Sequence, residues 1–231
     1  VVTTGPGRPR LTSPRRPGAS AAEEILDAAA ELFTTQGFTA TSTRRIARDV
    51  GIRQASLYHH FATKEEILEA LLERTVSPAL AAADALTAAD VPGAVALHAL
   101  AWFDSRQLAS ARWNLGALYL LPELRSPSLA PFVEQRRALR GRYAALARRA
   151  VLESEGGDRD GDDAALLDLP FRIVESVIAT RADSDEAPSA DIGRTLADAA
   201  LRVLGVDGQA IEPHSRRALA AAGLADTAPT D

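Results

Sequence analysis

Residues Thr41 to Leu68 read TSTRRIARDVGIRQASLYHHFATKEEIL. These are two short helical patterns split by a glycine, followed by the start of a third. Thr41, Ser42 and Thr43 supply an N-cap, since their hydroxyls can accept from free backbone N–H groups. The helix they open turns Ile46, Ala47 and Val50 inward and Arg44, Arg45 and Arg48 outward. Gly51 permits a sharp turn at positive φ, cheapest where there is no Cβ. Ile52 plugs that turn, and a short helix over 54–60 follows. Ile46, Val50, Ile52, Leu57 and Phe61 can bury together as a miniature core. The opposite face carries Arg53, Gln54, Ala55 and Ser56, then Tyr58 and His59. Small polar groups let a helix sit deep in the DNA major groove. There glutamine can pair adenine, arginine can pair guanine, and alanine or a hydroxyl can meet a thymine methyl.

The charge distribution points the same way. The 231-residue chain is acidic, with a net charge of −5. Residues 1–64 nevertheless carry nine Arg/Lys against five Asp/Glu, a local net of +4. A basic leading segment on an acidic body implies a polyanionic partner for that segment alone. Alanine, leucine and arginine dominate, which favours helices. With no cysteine, disulfide and thiolate chemistry are excluded, and a cytoplasmic location is expected. No apolar run approaches the roughly 20 residues that span a bilayer. The leading arginines lack the apolar core of a secretory signal.

Residues 1–19, with four prolines among glycines and arginines, read as a disordered basic arm. Ser20 and Glu23 form an S-x-x-E capping box that opens a helix ending near Gly37. Thr63 and Glu66 form another, opening a helix that runs towards Pro78. Further helices are expected over 91–108, 111–121, 128–154, 163–182 and 189–205. Most of 207–231 is expected to be a flexible tail, with room for one short helix near Ser215–Leu224. The domains expected are therefore the arm at 1–19, a DNA-binding domain at 20–66, a helical effector and dimerisation domain at 67–206, and the tail.

The preceding AAAELFTTQGF, the T-x-R-x-I-A helix, Gly51–Ile52, and SLYHHFATKEEIL at their observed spacing resemble the DNA-binding region of the tetracycline-repressor (TetR) family. The resemblance covers about residues 20–72. It implies an all-α fold: a three-helix domain with a helix-turn-helix, then a larger helical domain. It also implies a homodimeric, ligand-responsive repressor on a near-palindromic double-stranded DNA operator. Thr43 and Arg44 match positions that reach phosphate or bases. Gln54, Ala55 and Ser56 match the reading face, with Arg53 beside them, and Tyr58 and His59 match backbone contacts. Lys64, the sole lysine, matches a phosphate contact at a helix start.

In similar proteins the second domain encloses a largely apolar small-molecule effector. His98, Trp102, Arg106, Trp113, Tyr119, Phe132 and Phe171 are the candidates for lining such a site, the first three at i, i+4, i+8 spacing. Two apolar stripes suit a four-helix dimer interface. One is Leu166, Leu169, Ile173, Val177 and Ile178; the other is Ile192, Leu196, Ala199, Ala200, Val203 and Leu204.

No cofactor or metal is expected. His59 and His60 point about 100° apart on a helix and cannot easily share one ion. The GGDRDGDD loop lacks the closing glutamate of a calcium loop. No nucleophile or phosphate-cradling motif appears, which argues against an enzyme. The alternative reading is a helical ligand-binding or adaptor dimer without DNA binding. Arg44, Gln54, Tyr58 and Lys64 argue against it.

Overall fold

The computed structural model describes residues 16–154, 163–184 and 188–224. Among the described residues it is all-helical, with nine α-helices and three short 3-10 turns. The chain divides into two compact units, Val1–Ile67 and Leu68–Asp231.

The first unit holds α1 (Ala21–Thr35), α2 (Thr43–Val50), α3 (Gln54–Tyr58) and the start of α4 (Lys64–Ala88). α1, α2 and α4 begin where the sequence supplies a cap, whereas α3 starts after Arg53 with no side-chain cap. Ser20 Oγ accepts from Glu23 N at 3.2 Å, and the Glu23 carboxylate accepts from Ser20 N at 3.1 Å, completing the expected box. Ser42 Oγ accepts from Arg45 N at 3.2 Å to open α2. Gly51 closes α2 at φ +79°, and Ile52 N then bonds back to Ala47 O at 2.9 Å. That left-handed residue reverses the chain within one step and aims α3 across α2. The core is Ile25, Ala28, Ala29, Leu32, Phe33, Phe38, Ile46, Ala47, Val50, Leu57 and Ile67, all buried. Ile52 and Phe61, expected with them, are only half-buried.

In the second unit α5 (Gly93–Ser110) is the central helix. It packs against α6 (Ala130–Glu153), α7 (Ala164–Asp183), α8 (Ile192–Val203) and α9 (Glu212–Ala221). Its AVALHALA run is buried from Val95 to Ala101, as befits a helix that is apolar almost all round.

Three expectations fail here. First, α4 continues ten residues past Pro78. Proline removes one backbone donor. Pro78 lies on an exposed position of the helix, as does Arg74 four residues earlier. Second, 111–121 is not an α-helix. Leu115–Leu120, Pro122–Arg125 and Pro127–Leu129 form three successive 3-10 turns, the last two starting at a proline. Third, the described part of the 207–231 tail is packed, because Ile211, Ser215, Ala218 and Leu219 are buried.

Of the acidic loop, 156–162 lies outside the described residues. Asp163 N-caps α7, accepting from Ala165 N and Leu166 N at 2.9 and 3.2 Å. Arg8, Arg10 and Arg15 of the expected arm also lie outside them. Arg16 folds back onto α1, pairing Asp27 at 2.8 Å and Glu31 at 2.7 Å.

Candidate nucleic-acid interface

The turn at Gly51 brings the outer faces of α2 and α3 side by side. Arg44, Arg45, Arg48, Arg53, Gln54, Ala55, Tyr58 and His59 are exposed there, and Thr43 and Ser56 are half-buried. Ser42, Arg44, Arg45, Arg48, Ile52 and Gln54 rim a surface hollow of about 640 Å³. Arg45 is held by Asp49 one turn on, Nε lying 3.1 Å from each carboxylate oxygen. His60 is exposed like His59.

Three expected contact residues share one hydrogen-bonded cluster. Gln54 Nε2 donates to Thr43 Oγ1 at 3.0 Å and to Tyr58 Oη at 3.3 Å. The two hydroxyl oxygens are themselves 3.0 Å apart. A polar cluster on an exposed face fixes rotamers that would otherwise be free, which lowers the entropy lost on binding.

Lys64 does something the sequence did not suggest. Its ammonium donates to Phe38 O at 2.8 Å and Thr41 O at 2.9 Å, and lies 4.1 Å from the centre of the Phe38 ring. It ties the start of α4 to the 38–41 turn that leads into α2. Two of its three protons are spent inside the unit.

The second unit separates the seven expected pocket residues. His98 is fully buried with both ring nitrogens occupied: Nδ1 is 3.0 Å from Ser215 Oγ on α9, and Nε2 is 3.0 Å from Asp198 Oδ1 on α8. It is a saturated core histidine. Burial lowers its pKa against the pull of Asp198. Trp102 is half-buried against α8. A Cβ on Gly193 would come within 3.0 Å of the Trp102 ring and 3.4 Å of the Arg106 side chain, so glycine lets α8 approach α5 closely there. The Arg216 guanidinium of α9 lies 5.2 Å from the Trp102 ring centre. This face of α5 is therefore covered by α8 and α9. Trp113 stands apart, half-buried with Arg112 over its ring.

Tyr119, Phe132 and Phe171 do converge, and they bring polar company that sequence reasoning missed. The Tyr119 and Phe132 rings are 5.5 Å apart, as are those of Phe171 and Tyr143. Arg136 lies 5.1 Å from the Tyr119 ring and 5.3 Å from the Phe171 ring. It grips Glu175 through Nε at 2.9 Å and Nη2 at 2.7 Å. Tyr119 donates to Thr75 Oγ1 at 2.6 Å. Tyr143 donates to Asp104 Oδ2 at 2.9 Å. Burial outweighs that bond and pushes the Asp104 carboxyl up to about 7. Asp104, following the mostly apolar AVALHALAWF run of α5, was the one visible sign. Arg136 and Glu175 are 39 residues apart and carry no local signal.

Among the described residues no group of His, Cys, Asp and Glu could hold a metal ion, and no helix is long and apolar enough to cross a membrane.

Residues 25–71 match the family model for bacterial regulatory proteins, tetR family. Over 49 residues the chain is 51% identical to the HTH-type transcriptional repressor KstR2 of Mycobacterium tuberculosis. That match takes in 21% of this chain and 24% of KstR2, so it spans about a quarter of that relative's length. A solved structure, Mycobacterium smegmatis AmtR, is similar over far more: 51% identity, a TM-score of 0.82, 90% of this chain and 98% of that one. FadR from Bacillus subtilis, solved in complex with stearoyl-CoA, aligns over 80% of this chain and 98% of its own. Its TM-score is 0.58, and at 21% identity it shares the fold alone.

Proposed function

The chain belongs to the tetR family of bacterial regulatory proteins, and from that premise we propose that it is a DNA-binding, effector-responsive transcriptional repressor acting as a homodimer. Its relatives are transcriptional regulators, which are not enzymes. The observation that carries the proposal is the exposed α2–α3 face. There Thr43, Gln54 and Tyr58 are locked together, with Arg44, Arg48 and Arg53 exposed around them. In this reading α3 enters the major groove with Arg53, Gln54, Ala55 and Ser56 towards base edges. Arg44, Thr43, Tyr58 and His59 grip the flanking phosphates.

The dimer is assigned to α7 and α8, which pack on each other. Each keeps apolar groups on its outer side. Leu169 and Val203 are exposed; Leu166, Ile173, Ile192, Leu196 and Ala199 are half-buried. Val177, Ala200 and Leu204 of the same stripes close the monomer's own core. Two such faces would form an isologous four-helix interface.

The effector is assigned to the Tyr119, Phe132 and Phe171 region, beside Arg136, Glu175 and Asp104. That lining suits an apolar body bearing a polar group. An effector that prefers the form of the dimer unsuited to its operator must weaken DNA binding by the same coupling factor.

Selection of bound duplexes from a random pool tests the proposal. Two inverted half-sites spaced by about one helical turn or a multiple of it are expected. Failure to enrich any sequence refutes it.

A further inference from the structure

We propose that the hydroxyl of Tyr119 is the link by which the effector region holds α4, and that Thr75 is the residue of α4 that it holds. The inference rests on the reading of the chain as a repressor whose effector enters among Tyr119, Phe132 and Phe171.

Tyr119 joins two places through one side chain. Its ring lies 5.5 Å from the Phe132 ring and 5.1 Å from the Arg136 guanidinium. Its hydroxyl donates to Thr75 Oγ1 on α4 at 2.6 Å. The direction of that bond is set by Thr75, whose own hydroxyl proton goes to Leu72 O at 2.6 Å. Gln107 Nε2 of α5 donates to Thr75 O at 2.9 Å. At Thr75, then, two side chains from outside α4 take hold of it.

Both ends of the link stand on weak places in the helical frame. Thr75 lies about one turn before Pro78, which supplies no N–H for the Arg74 carbonyl. Tyr119 stands on the 3-10 turn Leu115–Leu120, a form with poorer hydrogen-bond geometry than an α-helix. That turn is anchored at its start, where Asn114 Nδ2 donates to Ile178 O at 2.9 Å and Gly116 packs on the Ile178 side chain. Beyond Tyr119 no residue from 120 to 128 is buried, and Leu120 is 91% exposed. A guest that comes between the Tyr119 and Phe132 rings has to part them. Phe132 is fixed in α6. The ring that yields is therefore Tyr119, and its hydroxyl leaves Thr75 as it moves.

α4 runs unbroken from Lys64 to Ala88. The helix released at Thr75 is thus the one whose start Lys64 ties to the 38–41 turn. In this scheme the linked form suits the operator, and an effector weakens binding by breaking the link. Thr75 and Tyr119 are positioning residues that act through α4.

The test uses the full chain and its selected operator, with Tyr119→Phe, Thr75→Val and both together. Each change removes one end of the link and keeps the bulk of the side chain. Affinities are measured where urea unfolding finds every variant folded. Each single variant should bind the operator about fivefold or more weakly, with its order of base preference unchanged. The double variant should lose no more than about twofold beyond either single one, because one loss already breaks the link. Ser215→Ala is the control. It removes a buried hydroxyl of the same unit that is bonded to His98 and not to α4, and should leave operator affinity within about twofold. Unchanged or tighter binding by the single variants overturns the inference. So do losses that simply multiply in the double variant, since the two hydroxyls would then act apart. A loss of equal size in Ser215→Ala also overturns it, by tracing weak binding to a loosened core. Absence of any selected duplex would instead overturn the proposed function itself.

Discussion

The hydroxyl of Tyr143 lies 2.9 Å from Oδ2 of Asp104, and both side chains are shut away from solvent. A carboxylate there costs desolvation that one hydroxyl cannot repay, and Glu175 adds a like charge. The folded protein thus holds a proton on Asp104 up to about 7, whereas an ordinary aspartate releases it near 3.8.

Stability should therefore carry a penalty that grows as pH rises from 3.8 to about 7 and is full above it. A shift of this size corresponds to roughly 4 kcal/mol. Urea unfolding of the unaltered chain and of Asp104→Asn, at several pH values, isolates the contribution. The difference between the two should change in the variant's favour across that window. A pH-independent difference would show that Asp104 does not titrate there.

Lys64 is expected to act first on folding. Removing its ammonium leaves Phe38 O and Thr41 O without their donor and loses the contact with the Phe38 ring. Lys64→Met should destabilise the protein by about 1–3 kcal/mol in denaturant unfolding. Operator affinity should fall evenly across sequences, because the lost turn positions all of α2. Unchanged stability with weakened binding would assign the ammonium to a phosphate instead.

The C-terminal helix is expected to be structural. A chain ending at Gly205 loses the burial of Ile211, Ala218 and Leu219 and leaves His98 Nδ1 facing the place of Ser215. The loss should be about 3 kcal/mol or more. Thermal and chemical denaturation of the truncated chain measure it, and an unaffected midpoint would make α9 a mere appendage.

Arg44 and Arg53 are exposed on the α2–α3 face and should each contribute to phosphate neutralisation or guanine contact. Titrating operator binding against salt separates the two. A phosphate contact removed by Arg→Ala lowers the salt slope by about one and leaves sequence preference alone. A base contact relaxes preference at one position. No change in either measure would take that arginine out of the interface.

The first unit was legible in the sequence because its determinants are local. Ser20–Glu23, Ser42 and Gly51 act within four residues of the turns they specify. Helical spacing alone sorted Ile46, Val50 and Leu57 from the exposed arginines. The aromatic set of the second unit was not sorted the same way. Spacing on α5 grouped His98, Trp102 and Arg106, and tertiary packing then covered that face with α8 and α9.

Sequence alone therefore determined the all-helical class, the starts of α1, α2 and α4, and which residues share the α2–α3 face. Those follow from caps, glycine and periodicity, which act along the chain. Tertiary structure alone decided how the side chains are spent: Lys64 on Phe38 and Thr41, Gln54 on Thr43 and Tyr58, His98 on Asp198 and Ser215. Most of these partners lie between 11 and 117 residues apart. A polar group is satisfied by whatever the fold places within about 3 Å of it, and no local pattern encodes that choice.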